Sequence, residues 1–297
     1  MIELRQLIYL ESVYRNKSFT KASKALFVSQ PTISTAVRAM EEELGLTLID
    51  RGPRTIRFTP QGEALMGQVK ALLSSYRDLL SQAGELSRSG ACTLRLGIAS
   101  IMSPDIFPLI YRGFLKKHPE LNILLDEDSA HGQIRKLLDE ELDLALNGLP
   151  EEQLPAELET VPVCRREIKL ILHREHPLAR LDSIPVELLR GEPLSMLSSP
   201  GVMGQVLDRA FSEKGVAPRV VSEHSQILGM LEMTLTGCGI GFMNMDPKAD
   251  RLDKYEALVL RPFSEPLGFQ VGFLIKKRRY IPPLCRELIS YIKDALK

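Results

Sequence analysis

The sequence predicts an α/β chain with a small helical N-terminal domain, a long connecting helix and a larger domain of alternating strands and helices. Three observations predict it. Apolar residues recur at helical spacing, broken by tight turns, over the first sixty positions; an unbroken 4-3-4-3 apolar repeat follows; and past Gly90 short β-rich runs alternate with amphipathic ones. A chain of 297 residues can bury enough surface for two or three such units.

The first helix is carried by Leu4, Leu7, Ile8, Leu10 and Val13. Ser18 offers an N-cap to a second, whose Phe19, Ala22, Ala25 and Leu26 face inward. Ser29 caps a third; Pro31 is tolerated there because first-turn N–H groups have no helical partner, and Gly45 closes it. Ile33, Val37, Met40 and Leu44 form its inward stripe. Its other face presents Gln30, Pro31, Thr32, Ser34, Thr35 and Arg38, mostly donors and acceptors long enough to reach base edges or phosphates. Two short helices joined by a tight turn, the second polar outside, make a helix-turn-helix pattern. Leu46–Ile49 and Thr55–Thr59 then read as strands of a hairpin wing around Asp50–Arg54. Arg51 and Arg54 would meet phosphates or the minor groove, since a guanidinium fork bridges two oxygens. Taken alone, these arginines fit a solvated loop better, and context has to decide.

The run SFTKASKALFVSQPTISTAVRAMEEELGLTLIDRGPRTIRFTPQG, Ser18 to Gly62, resembles the N-terminal domain of LysR-type transcriptional regulators. The matching pieces are SFTKAS, VSQPTIS, EEELG and RFTPQG at fixed spacing. The resemblance implies a winged helix-turn-helix over 1–58, binding double-stranded promoter DNA. One position departs from the pattern. The family often has arginine after the recognition-helix serine, where this chain has Thr35 and Ala36, so Gln30 and Arg38 carry more of the contact.

A helix predicted from Thr59 to about Arg88 (a 59–89 linker) places Leu65, Val69, Leu72, Tyr76, Leu79, Ala83 and Leu86 on one seam. A 3.5-residue repeat keeps that seam facing a partner helix, so the seam predicts a homodimer or homotetramer reading a palindromic site. Met66, Leu73 and Leu80 add a flanking row toward the globular parts; an ordinary amphipathic helix is the alternative. Ser87–Gly90 breaks the helix.

Residues 91–297 read as strand–helix alternation with a mostly parallel sheet: strands at 94–99, 121–125, 142–146, 168–173, 194–197, 219–222, 240–243 and 269–275, with helices between and a last helix at 283–296. LRLGIAS, FLKKHPEL, ELDLAL, REHPLA and TGCGIGF resemble the LysR-type effector domain. The resemblance implies a two-lobed, periplasmic-binding-protein-like fold, with lobe 1 at about 91–162 and 264–297 and lobe 2 at about 163–263. In such folds ligands lie beyond the carboxyl ends of strands, at helix N-termini. The family carries pocket residues at the positions of Ser100 and Ser129. Ser103, Gly201, Val202, Met203, His224 and Phe242 are the further effector candidates. Each serine could equally be a helix cap, and for His224 a structural role is the favoured reading. Small hydroxyls and apolar groups suit a compact polar or anionic metabolite.

The totals bound the other classes. Lys+Arg and Asp+Glu balance at 38 each, which speaks against a wholly basic nucleic-acid binder. Split at residue 89, however, the charge is +3 before and −3 after. Four scattered cysteines, the nearest pair 47 residues apart, indicate neither a disulfide framework nor a zinc site, and fit the reducing cytoplasm. His173 and His176 lack a third ligand. No apolar run spans a membrane, and MIELRQ has no signal-peptide core. Gly237-Cys238-Gly239-Ile240-Gly241 follows a helix and precedes a strand, the reverse of a dinucleotide fingerprint. With no catalytic constellation, no cofactor and no metal expected, the reading is a non-enzymatic, effector-controlled regulator that also meets RNA polymerase. The competing reading is a small-molecule binding protein whose N-terminal helices only dimerise it.

Overall fold

The computed structural model describes residues 1–51, 56–86, 92–99, 102, 106–150, 154–197, 201–224, 226–244, 255–277 and 279–296. The chain divides into two compact units, Met1–Arg88 and Ser89–Lys297.

In the first unit, α1 (Leu4–Asn16) opens with a capping box in which Glu3 N donates to Gln6 Oε1 at 2.7 Å. Ser18 Oγ accepts from Lys21 N at the start of α2 (Phe19–Ala25). The third helix, α3 (Gln30–Leu44), begins at the Ser29 cap and ends at Gly45, whose φ of 65° is the left-handed conformation glycine adopts without strain. Leu10, Val13, Ala22, Ile33, Val37, Met40 and Leu48 are fully buried between these helices. Two short strands, β1 (Ile49–Arg51) and β2 (Ile56–Phe58), pair antiparallel. The first begins at Ile49, not at Leu46 as the apolar run suggested. A side chain competes there: Glu41 Oε1 accepts from Leu48 N (2.8 Å) as well as Ile49 N (3.0 Å), so the Leu48 N–H bonds a carboxylate instead of the facing strand.

The long helix α4 (Pro60–Leu86) splits the expected seam in two. Met66, Val69 and Leu73 are buried in the core of the first unit and Leu65 is half-buried against it. Val69 and Leu65 therefore stabilise their own protomer and cannot begin an intermolecular seam. Leu72, Tyr76, Leu79 and Leu80 are exposed at 51%, 36%, 61% and 52%, and Ala83 is exposed beside them. The Leu86 side chain lies outside the described residues.

The second unit holds two lobes with one strand plan. In lobe 1, β3 (Cys92–Ile98), β4 (Leu121–Glu127), β5 (Leu144–Gly148), β6 (Leu158–Glu167) and β12 (Gly268–Lys276) form a five-stranded sheet in the order β4-β3-β5-β12-β6. Its first three strands are parallel, and β12 runs antiparallel to both neighbours. In lobe 2, β8 (Pro193–Leu197) is parallel to β9 (Arg219–His224) and bridges in parallel at Leu194–Ile240 to the strand β10 (Gly241–Met243). The strand β7 (Lys169–His173) then runs antiparallel to β10 and to β11 (Leu258–Pro262). The orders β4-β3-β5-β12-β6 and β9-β8-β10-β7-β11 correspond strand for strand.

The sheets are thus mixed, not mostly parallel, because the strands that cross between lobes enter antiparallel. The two crossings lie side by side: Ile168 N donates to Leu267 O at 2.8 Å, between the pairs Gly268–Glu167 and Pro262–Lys169. The strands β6 and β11 escape the sequence reading. Both are edges, one carrying Pro162 opposite a bulge at Val271/Gly272 and the other ending in Pro262, and an edge accepts proline and charge that blur alternation. The helices are α6 (Ala130–Leu138), α7 (Val202–Glu213), α8 (Ile227–Leu235) and α9 (Pro283–Ala295). The helix expected at 106–117 is wound as a π-helical segment, α5 (Pro108–Phe114), where Leu115 N donates to Ile110 O.

Candidate nucleic-acid interface and effector cleft

The N-terminus of α3 is built by Ser29, whose hydroxyl accepts from Thr32 N (3.3 Å) and shares a 2.7 Å hydrogen bond with Thr32 Oγ1. Thr32 is therefore partly committed to the cap. Gln30, Pro31, Thr32, Thr35 and Arg38 are exposed, and Ser34 is half-buried. The wing is fastened to this helix by Glu41, so wing and recognition helix share one frame. Arg51 closes β1, but its side chain and residue Arg54 lie outside the described residues. Arg57 is exposed on β2.

Behind the wing, the Thr59-Pro60-Gln61-Gly62 turn has a steric reason. Thr59 Oγ1 donates to Thr47 O (2.6 Å) and accepts from Gly62 N (3.0 Å), and Thr59 N donates to Leu48 O (3.0 Å). A Cβ on Gly62 would sit 2.2 Å from the Leu48 carbonyl oxygen, so only glycine lets α4 start against the wing. Tyr14 completes the corner, its ring edge-on to Phe58 (4.8 Å) and its hydroxyl donating to Glu63 Oε2 (2.8 Å).

In the second unit a cavity of about 390 Å³ opens beyond the carboxyl ends of β4, β5, β8 and β10. Lobe 1 contributes Glu127, Asp128, Ser129 and Asn147, and lobe 2 contributes Gly201, Val202, Met203, Gln226, Phe242 and Asn244. Met102, Met196, Leu197, Leu207, Ile227 and Phe269 give the rest of an apolar wall. Ser129, Gly201, Val202, Met203 and Phe242 are brought together as expected, while Ser100 and Ser103 lie outside the described residues. Ser129 also caps α6, its hydroxyl accepting from Gly132 N at 3.2 Å.

His224 does not line the cavity. Its Nε2 bonds Ser222 Oγ at 3.0 Å, and its ring packs against Gly229, where a Cβ would lie 2.6 Å from Nδ1. Among the described residues its contacts are with β9 and α8. The described lining residues include no Lys, Arg or His, so the expectation of an anionic ligand loses its counter-charge. Lys136, which pairs with Asp126 (2.7 Å) and Asp128 (2.9 Å), is not among them. Its hydrogen bond, followed by that of the Ser129 N–H, holds the Asp128 carboxyl below the usual carboxylate range. Asn244 is 3% exposed and its Oδ1 has no hydrogen-bond partner among the described residues, whereas Asn147 is satisfied by Gln133 and Gly148 N, each at 2.9 Å. Sequence reasoning stopped at Phe242 and missed Asn244 beyond β10, along with the polar lining residues Glu127, Asp128, Asn147 and Gln226.

Residues 4–63 match the profile of the bacterial regulatory helix-turn-helix protein, lysR family, and residues 87–297 match the LysR substrate binding domain. The chain belongs to the LysR family. It is 28% identical to the hydrogen peroxide-inducible genes activator of Haemophilus influenzae over 82% of this chain and 80% of that one. The fold matches a full-length OxyR variant from Pseudomonas aeruginosa with a TM-score of 0.75 at 23% identity, covering 100% of this chain and 95% of that one. It also matches full-length CbnR complexed with its target DNA at 0.67 and 20% identity, covering 99% of each chain. This LysR-type protein is a DNA-binding transcriptional regulator with an effector-binding domain. The glycine run 237–241 fits that assignment rather than a nucleotide site, since Gly237, at φ 72°, ends α8 and leads into β10. No described helix is long and apolar enough to cross a membrane.

Proposed function

We propose that this LysR-type regulator binds promoter DNA as a homodimer or homotetramer in the cytoplasm, and that a small effector in the inter-lobe cavity changes its engagement with RNA polymerase. The cavity carries this reading: residues of both lobes line it and two adjacent crossing segments connect those lobes. A ligand touching both lobes favours one lobe arrangement over another, and only such differential affinity can shift the equilibrium. The DNA contacts come from Gln30, Pro31, Thr32, Ser34, Thr35 and Arg38, with Arg51 and Arg54 on the wing. The protomers meet through Leu72, Tyr76, Leu79, Leu80 and Ala83, which α4 leaves exposed. The effector has an apolar body, matching the methionine and phenylalanine wall, and a hydrogen-bond donor for Asn244 Oδ1.

The test is binding to a promoter fragment across a salt series. Specific binding with a steep salt dependence, weakened in Arg51→Ala/Arg54→Ala, supports the reading. Absence of specific binding by the wild-type oligomer sinks it and leaves a ligand-binding protein that merely dimerises. A thermal-shift screen of metabolites, repeated on Asn244→Ala, tests the cavity separately.

A further inference from the structure

The turn between α2 and α3 holds an unusual residue. Phe27 has φ 54°, in the left-handed region where glycine or asparagine is favoured, and is 96% exposed. Its backbone completes a Schellman closure of α2, with Phe27 N donating to Lys24 O (3.3 Å) and Val28 N to Ser23 O (3.0 Å). The fold thus strains the backbone at this position and recovers nothing by burying the ring.

Phe27 lies two residues before the Ser29 cap, in an exposed run with Lys24, Ala25, Gln30, Pro31 and Thr32. That run continues onto the recognition-helix N-terminus, the end that reads bases in helix-turn-helix proteins. In that exposed run Phe27 is the one large apolar side chain, with Lys24, Ser29, Gln30 and Thr32 supplying charge and hydrogen-bonding groups. A protein interface would need a contiguous apolar patch around it, whereas one apolar group beside hydrogen-bonding side chains suits the apolar edge of a duplex, a thymine methyl or a deoxyribose face. Strain held at an exposed site points the same way.

We propose that Phe27 is a DNA-contacting residue, its ring seated on the apolar edge of the duplex beside the α3 contacts. The proposal rests on the regulator reading above. The probe is a duplex enriched by the wild-type full chain from a random-sequence pool. Phe27→Asn relieves the left-handed strain, so its melting temperature should equal or exceed that of wild type while duplex affinity falls about tenfold, as losing partial burial of a ring implies. The slope of log affinity against log salt should stay unchanged, because no phosphate neutralisation is lost. Phe27→Trp should bind within about threefold of wild type.

A uracil-for-thymine duplex separates the two sources: weaker wild-type binding identifies the methyl, unchanged binding the sugar. Unchanged affinity in Phe27→Asn overturns the proposal, as does affinity lost together with melting temperature, or a shift in oligomer size, which would make the ring a protein contact. Failure of wild type to enrich any duplex would instead overturn the regulator reading itself.

Discussion

Glu41 offers the sharpest test of how the interface is held. Both backbone donors at the entry to the wing, Leu48 N and Ile49 N, converge on one carboxylate oxygen at 2.8 and 3.0 Å. Glu41→Ala leaves both unsatisfied. Hydrogen bonds to a charged group are worth about 1.5–3 kcal/mol each; Glu41 is half-buried, so water recovers part of that, and a net loss of about 2 kcal/mol is expected. For a unit the size of Met1–Arg88 this lowers the melting temperature by roughly 8–16 °C. Glu41→Gln keeps an acceptor oxygen in the same place and forfeits mainly the charge assistance, about 1 kcal/mol. Calorimetry of the full-length protein should order the melting of the N-terminal unit as wild type, then Gln, then Ala. DNA affinity should follow that order, since the wing loses its register on α3. An alanine variant melting within about 2 °C of wild type would refute the reasoning, as would glutamine and alanine variants that melt together.

Three further predictions concern other parts of the chain. Leu79→Lys, at a side chain 61% exposed, should reduce the oligomer to protomers in analytical ultracentrifugation with protomer melting unchanged; Val69→Lys, at 4%, should unfold the N-terminal unit instead. Gly62→Ala forces a Cβ to 2.2 Å from the Leu48 carbonyl, so the wing must shift; circular dichroism should show destabilisation by about 1–3 kcal/mol and duplex binding should weaken. The depressed carboxyl of Asp128 contributes stability that is present above its ordinary titration range and lost as pH falls through its lowered value. Lys136→Met, which removes the first cause of that depression, should therefore cost the effector domain a small, solvent-screened amount of stability near neutral pH, and denaturant melts of variant and wild type should converge as acid titrates Asp128; a difference that persists in acid would refute the assignment.

Much of the protein was legible in the residues because the signals were local. Ser18, Ser29 and Gly45 mark helix ends through bonds within a few residues of themselves, and the cap and closure geometries are those the sequence predicts. The Ser129 cap and the glycine turn at 237 belong to the same class. The family follows from several such motifs at fixed spacing, confirmed by profiles over residues 4–63 and 87–297.

What stayed hidden depended on partners far along the chain. The strands β6 and β11 read as irregular because edge strands tolerate proline and charge, and only β12 and β7 reveal them as strands. His224 sits at a strand end, as an effector ligand would, yet it bonds Ser222 and packs on Gly229 and is not among the residues lining the cavity.

The heptad shows the division most clearly. Sequence alone determined that α4 is long, amphipathic and periodic, since periodicity is a property of one helix. Which turns of that stripe stay exposed was decided by tertiary packing: Met66, Val69 and Leu73 are buried in the core of the first unit, whereas Leu72, Leu79 and Leu80 remain half or more exposed. Spacing determines which side chains share a face, whereas only the folded chain determines how much of that face its own core consumes.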